Sequence, residues 1–240
     1  MKTQSLKSNN NTETPPGILA WVAQIFIATV AAGVILFLSA GRLNWSGGWA
    51  FFGLNLFTQA LSALILIPRR PDLLAERSQV RAGTKSWDRF FAPATMICGT
   101  LAVIITAGLD ARFSWSATVD AGVWWAALGL AFAGQLFALW AMASNRFFAT
   151  TVRIQEERGH RVVSTGPYRF VRHPGYAGAL VYTLAIPLVL GSWWTYIPGV
   201  LTIGLLVART RLEDRTLRSE LPGYRDYTTI TPYRLIPGVW

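Results

Sequence analysis

The sequence predicts an all-α integral membrane protein with about six membrane helices, the last two a short hairpin, and no Rossmann domain. Three observations predict it. Hydrophobic residues make up 52% of the 240-residue chain and charged residues only 14%, whereas an ordinary soluble domain is about 25% charged. The chain carries 11 Trp and 13 Phe, and its mean hydropathy is +0.35. The basic residues fall between the apolar runs and never inside them.

Residues 1–17 are polar, with three consecutive asparagines and a Pro15–Pro16 pair, the composition of a disordered tail. No small-residue cleavage site follows a short apolar core, so the start does not read as a signal peptide. Residues 18–40 are uncharged and long enough to span a bilayer, which takes about 20 apolar residues. Further spans are expected over 46–68, 91–109 and 121–143, separated by a short turn at 41–45, a charged loop over 69–89 and a polar connection over 110–120. Residues 144–175 are polar and basic. The apolar runs 174–190 and 193–208 are only 17 and 16 residues long. At ~1.5 Å per residue they barely match a ~30 Å hydrocarbon core, and Gly191–Ser192 between them makes a tight turn, so they read as a helical hairpin over 174–208. The chain thus divides into a tail (1–17), four spans (18–143) and a motif-bearing C-terminal part (144–240), which ends in a charged, aromatic segment from Arg209.

Charge placement gives the orientation. Of the 22 Lys and Arg, two precede the first span and six lie in each of the 69–89 loop, the 144–175 segment and the stretch from Arg209 onward. The opposite connections hold only Arg42 and Arg112. The positive-inside rule then places both termini in the cytoplasm. A bacterial inner membrane is the expected location, or the endoplasmic reticulum membrane in a eukaryote. The net charge of +10 is accounted for by topology and anionic lipid, and no nucleic-acid partner is expected.

Several chemistries have no motif here. Cys98 is the only cysteine, so no internal disulfide or cysteine-based metal cluster is expected. His160 and His173 lie thirteen residues apart without carboxylates at helical spacing, so no metal site is expected either. Nucleophile-elbow, zincin, P-loop and dinucleotide signatures are missing, as are the broken, repeated segments of a transporter.

The unusual residues concentrate in two segments that the hairpin returns to one membrane face. The first is His160–Tyr176, which contains Gly166–Pro167–Tyr168–Arg169–Phe170–Val171–Arg172–His173–Pro174–Gly175–Tyr176. Pro174 pushes His173 toward an extended conformation and suits the first turn of a helix. Helix starts bind anions through free N–H groups and the helix dipole. The second holds Arg209 and Glu213, four apart and therefore on one helix face, followed by Tyr224, Tyr227, Tyr233 and Arg234. Spacing alone leaves open a solvated juxtamembrane helix with a weak Arg209–Glu213 pair, tyrosines that anchor the interface, and Arg169 and Arg172 as topology signals. Asn145, at the end of the fourth span, reads equally as a cap or a cofactor contact.

The first segment resembles the G-x-Y-x-x-x-R-H-P-x-Y signature of the isoprenylcysteine carboxyl methyltransferase family, part of a wider group that includes phospholipid N-methyltransferases. Glu213–Asp214–Arg215–Thr216–Leu217 resembles the family's E-E-x-x-L, with Asp214 in place of the more usual glutamate. Gly223–Tyr224, Tyr227, Arg234 and Pro237 resemble its closing pattern. The likeness covers about the last hundred residues, with the motifs in order around the hairpin.

The resemblance implies S-adenosyl-L-methionine bound on the cytoplasmic side. The cofactor-binding residues it implies are His160, Arg161, Val162, Val163, Tyr168, His173, Pro174, Gly175, Tyr176 and Glu213, with Arg209 orienting the methyl acceptor. Arg153 is left out, because it is basic where eukaryotic members carry a polar amide. The helix start at Pro174 suits the methionine carboxylate, the 160–163 backbone the adenine edge, and Glu213 the ribose or the sulfonium. The implied acceptor is lipophilic and enters from the bilayer. A carboxylate is favoured because it is already ionised at neutral pH and needs no base. The alternatives are a phospholipid N-methyltransferase, an NADPH-dependent sterol-type membrane reductase and a non-catalytic scaffold.

Overall fold

The computed structural model describes residues 16–78 and 82–240. The expected disordered tail lies outside the described residues except for Pro16 and Gly17, which open α1 (Pro16–Ala40). There follow α2 (Ser46–Arg69), α3 (Pro71–Arg77), α4 (Asp88–Met96), α5 (Val103–Phe113), α6 (Ala121–Ser144), α7 (Pro174–Leu190), α8 (Tyr196–Glu220) and α9 (Tyr224–Ile230). A π-helical stretch, Ile97–Ala102, joins α4 to α5, so these form one continuous rod. Among the described residues every regular element is helical.

Four helices are long and apolar enough to cross a membrane: Gly17–Ala40, Ser46–Arg69, Asp88–Phe113 and Ala121–Ser144. The third carries Pro93 inside its first part. Proline lacks the N–H that would close the helical turn, and the wider π-helical turns begin four residues later. There Gly99 lets Thr202 of α8 approach, since a Cβ on Gly99 would lie 2.9 Å from the threonine methyl.

The expected hairpin is more asymmetric than the sequence suggests. Helix α7 has 17 residues and stops at Gly191, whose φ of +68° suits a residue without a Cβ. Helix α8 has 25 residues and does not end with the apolar run at Ala208; it continues to Glu220. No proline or glycine interrupts residues 205–221, and the Arg, Leu and Glu found there are good helix formers. The charged segment expected to begin a separate tail at Arg209 is therefore the second half of α8.

Leu36, Phe51, Ile104, Ala131, Ile186 and Val189 form the main core, where α1, α2, α5, α6 and α7 meet. The closest approach is between α6 and α7. A Cβ on Gly134 would lie 2.7 Å from the Gly178 carbonyl, and one on Gly178 would lie 2.8 Å from the Ala138 nitrogen. Small residues let membrane helices pack backbone to backbone. A polar clasp reinforces the same pairing: Asn55 and the Tyr182 hydroxyl bond at 2.9 Å, and Gln135 donates to Asn55 at 3.3 Å. Together these contacts fix the start of α7 against the end of α6, where the motif loop lies.

Candidate functional site

A cavity of about 260 Å³ opens where the loop between α6 and α7 meets α3, α8 and α9. Its wall includes His160, Arg161, Val162, Val163, Tyr168, His173, Gly175, Tyr176, Arg209 and Glu213. Pro174 is the one residue of the expected set that does not line it; as the first residue of α7 it lies buried behind the wall.

The loop reaches this wall through a 3₁₀ turn, Gly166–Arg169. Gly166 has φ of +61° and packs against Ser144, where a Cβ would collide. His173 then caps α7 with φ of −125°, in line with the restriction that Pro174 imposes. Arg172 and His173 donate their backbone N–H groups to the carbonyls of Tyr233 and Arg234 at 2.9 and 3.0 Å, which ties the loop to the segment after α9. Gly175 keeps the helix start open: a Cβ there would lie 2.5 Å from the Phe148 ring.

The two motif segments meet through carboxylates. Tyr176 donates its hydroxyl to Glu213 at 2.6 Å, and the His173 and Tyr176 rings stack at 6.0 Å. His173 Nδ1 lies 3.9 Å from Glu213, and its Nε2 lies 3.5 Å from Asp214. Asp214 is almost wholly buried, and it is a hub. It accepts from Arg172 at 2.7 Å, Arg234 at 2.9 Å and the Tyr224 hydroxyl at 3.2 Å. Burial opposes its ionisation, but the bonds from His173 and Arg172 outweigh burial and hold the carboxyl well below the usual range.

Three readings that spacing left open are excluded here. Arg209 does not pair with Glu213: its Nε and Nη2 hold Asp88 at 2.7 and 3.0 Å, and Nη2 also reaches the Thr150 carbonyl at 2.8 Å. Asp88 opens α4 and is completely buried, so an ion pair inside the fold displaces the weaker pair along the helix. Arg172 is not a surface topology signal; it is buried and also donates to the Thr231 and Pro232 carbonyls. Tyr224 and Tyr227 are not interface anchors; both are buried, and the Tyr227 hydroxyl donates to the Tyr168 carbonyl at 2.6 Å. Burial pushes the Tyr227 phenol up to about 12.

The opposite wall is built from 145–163. Asn145 is both a cap and a wall residue. Its backbone ends α6, its side-chain oxygen accepts from Phe147 N–H at 2.8 Å, and its amide donates to the Tyr168 hydroxyl at 3.1 Å. The His160 ring packs at a tilt against Phe147, centroids 4.6 Å apart, and accepts from the Gln155 N–H through Nδ1 at 3.3 Å. Burial, with the Arg153 and Arg158 charges nearby, lowers the His160 imidazole to about 4. The ring is neutral at pH 7, and Nε2 carries its proton. Among the described residues, the backbone of 161–164 makes no hydrogen bond to other backbone. These are open donors and acceptors beside an aromatic surface.

Other wall residues escape sequence reasoning. Arg153, outside the set that the resemblance implies, also lines the cavity; it is buried and held by Glu76 and Glu157, each at 2.6 Å. Arg77, the last residue of α3, has no carboxylate within 4 Å among the described residues, and its buried Nε has no hydrogen-bond partner. It donates only to the Phe148 carbonyl, at 3.3 Å, and lies 5.5 Å over the Phe148 ring. Burial, with Arg209 nearby, lowers the Arg77 guanidinium to about 10. No motif marks Arg77; its only sequence signal is a position just beyond the second span.

Residues 127–219 match the model of the isoprenylcysteine carboxyl methyltransferase (ICMT) family. The matched stretch runs from α6 to the end of α8 and carries both motifs. The chain is 32% identical over 99 residues to the Bacillus subtilis (strain 168) "Uncharacterized protein YpbQ", covering 40% of this chain and 57% of that protein. It is 35% identical over 49 residues to the "Probable protein-S-isoprenylcysteine O-methyltransferase" of Oryza sativa, subspecies indica and japonica alike, covering 20% of this chain and 26% of each rice protein. The match thus spans about half of the Bacillus relative and a quarter of the rice ones. The family that the two ordered motifs resemble, that of the isoprenylcysteine carboxyl methyltransferases, is the family these comparisons support for the chain.

Proposed function

We propose that the protein is an integral-membrane methyltransferase that uses S-adenosyl-L-methionine and methylates a lipophilic carboxylate. The observation that carries this reading is that the two motifs, forty residues apart, build one cavity through the Tyr176–Glu213 bond.

The residues present fit the cofactor. The start of α7 offers N–H groups of Gly175 and Tyr176 beside His173, a site for the methionine carboxylate. The unpaired backbone of 161–164, with Phe147, His160 and Tyr168, offers polar edges and flat surfaces for a purine. Glu213 accepts from hydroxyls, and the Tyr176 face attracts a cationic sulfur by about 0.5–2 kcal/mol. When bound, the cofactor supplies an electrophilic methyl group.

The chain's own work is alignment. Holding an acceptor oxygen in line with the reacting carbon contributes several kcal/mol, up to roughly 7–11. A carboxylate acceptor suits the site better than an amine. Glu213 is committed to Tyr176 and Asp214 to its arginines, so neither is a free base. Arg77, which has no counter-ion among the described residues, and Arg209 above Tyr176 together receive the anionic end. The apolar body of the acceptor lies toward the bilayer. The basic side, with the cavity, faces the cytoplasm by the positive-inside rule. The α7–α8 hairpin enters the same bilayer, giving six membrane helices.

Purified protein in detergent should be stabilised against heat by S-adenosylmethionine and not by NADPH. Stabilisation by NADPH alone would instead support a reductase, and stabilisation by neither would support a scaffold. Incubating the protein with methyl-labelled cofactor and membrane extract, then testing the labelled product for base-labile methyl ester, identifies the acceptor class.

A further inference from the structure

We propose that a second site, at the end of the molecule opposite the motif cavity, binds one anionic glycerophospholipid. A groove of about 690 Å³ runs between α1 and α2, walled by Val30, Val34, Phe37 and Leu38 on one side and Trp49 and Phe52 on the other. From Val30 to Arg42 it follows α1 for roughly 18 Å at the helical rise. Gly33 gives the groove its depth: a Cβ there would lie 2.7 Å from the Phe52 ring. The aromatic floor is already packed, with Phe37 and Trp49 4.7 Å apart and the Trp49 indole N–H donating to the Leu43 carbonyl at 2.8 Å.

The mouth of this groove is where the charge lies. Arg42 follows α1 and Arg112 sits in the last turn of α5, and both line the groove. Among the described residues they are the two basic residues that lie at this end. Both are exposed, and neither has a carboxylate within 4 Å or a side-chain hydrogen bond among the described residues. The acidic residues nearby are committed elsewhere: Asp110 accepts from Ser116 at 2.5 and 2.8 Å, and Asp120 caps α6. Gly41 allows the arrangement. Its φ is +63°, and a Cβ there would lie 2.8 Å from the Arg112 guanidinium, so the absence of a side chain gives that cation room over the end of α1.

Two unpaired guanidiniums seventy residues apart in sequence thus converge on the open end of an apolar channel in a membrane-embedded face. Guanidinium binds phosphate through two parallel N–H···O bonds. The groove is no more apolar than the surrounding lipid tails, so an acyl chain in it adds little affinity of its own. The arginines supply the preference, which is for an anionic headgroup over a zwitterionic one.

Native mass spectrometry tests this on full-length protein in detergent supplied with phosphatidylglycerol or phosphatidylcholine. The wild type should retain one phosphatidylglycerol per chain and little phosphatidylcholine. Each arginine removed should lower retention about fivefold, about 1 kcal/mol. R42Q/R112Q should therefore lose the lipid while R42K/R112K retains most of it, and V34W, which fills the exposed groove, should lose it with the charges intact. Equal retention of the two lipids, or R42Q/R112Q retaining lipid as the wild type does while melting at the same temperature, would overturn the proposal. So would a dimer that V34W dissociates, because the groove would then be occupied by a second copy.

Discussion

Arg209 of α8 grips Asp88 of α4 through two bonds of 2.7 and 3.0 Å, across 121 residues of sequence. Asp88 also accepts the Val152 N–H at 2.7 Å, so one buried carboxylate joins α4, α8 and the cavity wall. Glu213, one turn beyond Arg209, is thereby left to Tyr176. The division of labour between the two acids leads to the first prediction.

Asp88→Asn should cost about 3–5 kcal/mol, because it leaves a buried guanidinium without its anion. Glu213→Gln should cost only about 1 kcal/mol, the worth of one hydrogen bond, while it weakens the cofactor. Thermal unfolding in detergent, set beside cofactor binding, distinguishes the two. Equal destabilisation by both variants would contradict this assignment.

Asp214 gives a pH signature. Its carboxyl ionises well below the usual range in the folded chain and near 3.9, approximately, in the unfolded one. Its contribution to stability is therefore complete above about pH 4 and is lost as pH falls through the folded value. Asp214→Asn should remove that contribution at neutral pH and flatten the acid limb of the melting curve below about pH 4.

His160 acts in a different window. Its folded value of about 4 lies below the roughly 6.5 of an unfolded histidine, so the unfolded chain binds the proton first. Stability should decline as pH falls from about 6.5 to 4, while cofactor affinity, set by the folded ring, should hold until the pH nears 4. In His160→Gln this part of the pH dependence should vanish. A wild type whose melting temperature is flat across that window would refute the argument.

Arg77→Gln separates function from stability. A buried cation without a counter-ion costs free energy, so its removal should leave the melting temperature unchanged or raise it. The same substitution should raise KM for an anionic acceptor by about tenfold or more, one bidentate contact being worth roughly 1.5–3 kcal/mol. A variant that loses cofactor affinity instead would show that Arg77 serves the methionine carboxylate.

Much of this architecture can be read from local sequence. The apolar runs foretell the helices because about 20 uncharged residues leave few alternatives in a bilayer. The loop before α7 is legible because Pro174 restricts His173 and opens a helix at once. The partners of charged groups are not legible. Asp88 looks like one of three acids in a charged loop, and nothing local says that its partner is Arg209. Arg172 reads as a surface cation because its carbonyl partners at 231 and 232 arrive from beyond α9. Asp214 looks like an imperfect motif position, yet it is the most connected carboxylate of the site. In each case tertiary burial, which a linear pattern does not encode, decides the role.

The central claim is that the start of α7 and Glu213 together hold S-adenosylmethionine. Isothermal titration of that cofactor into detergent-solubilised protein tests it most directly. The account predicts one site per chain, weakened about tenfold or more (roughly 1.4 kcal/mol) by His173→Ala and by Glu213→Gln. It predicts no change with Glu220→Gln, whose side chain pairs with Lys85 away from the cavity. No binding by the wild type, or equal binding by all three variants, would contradict it.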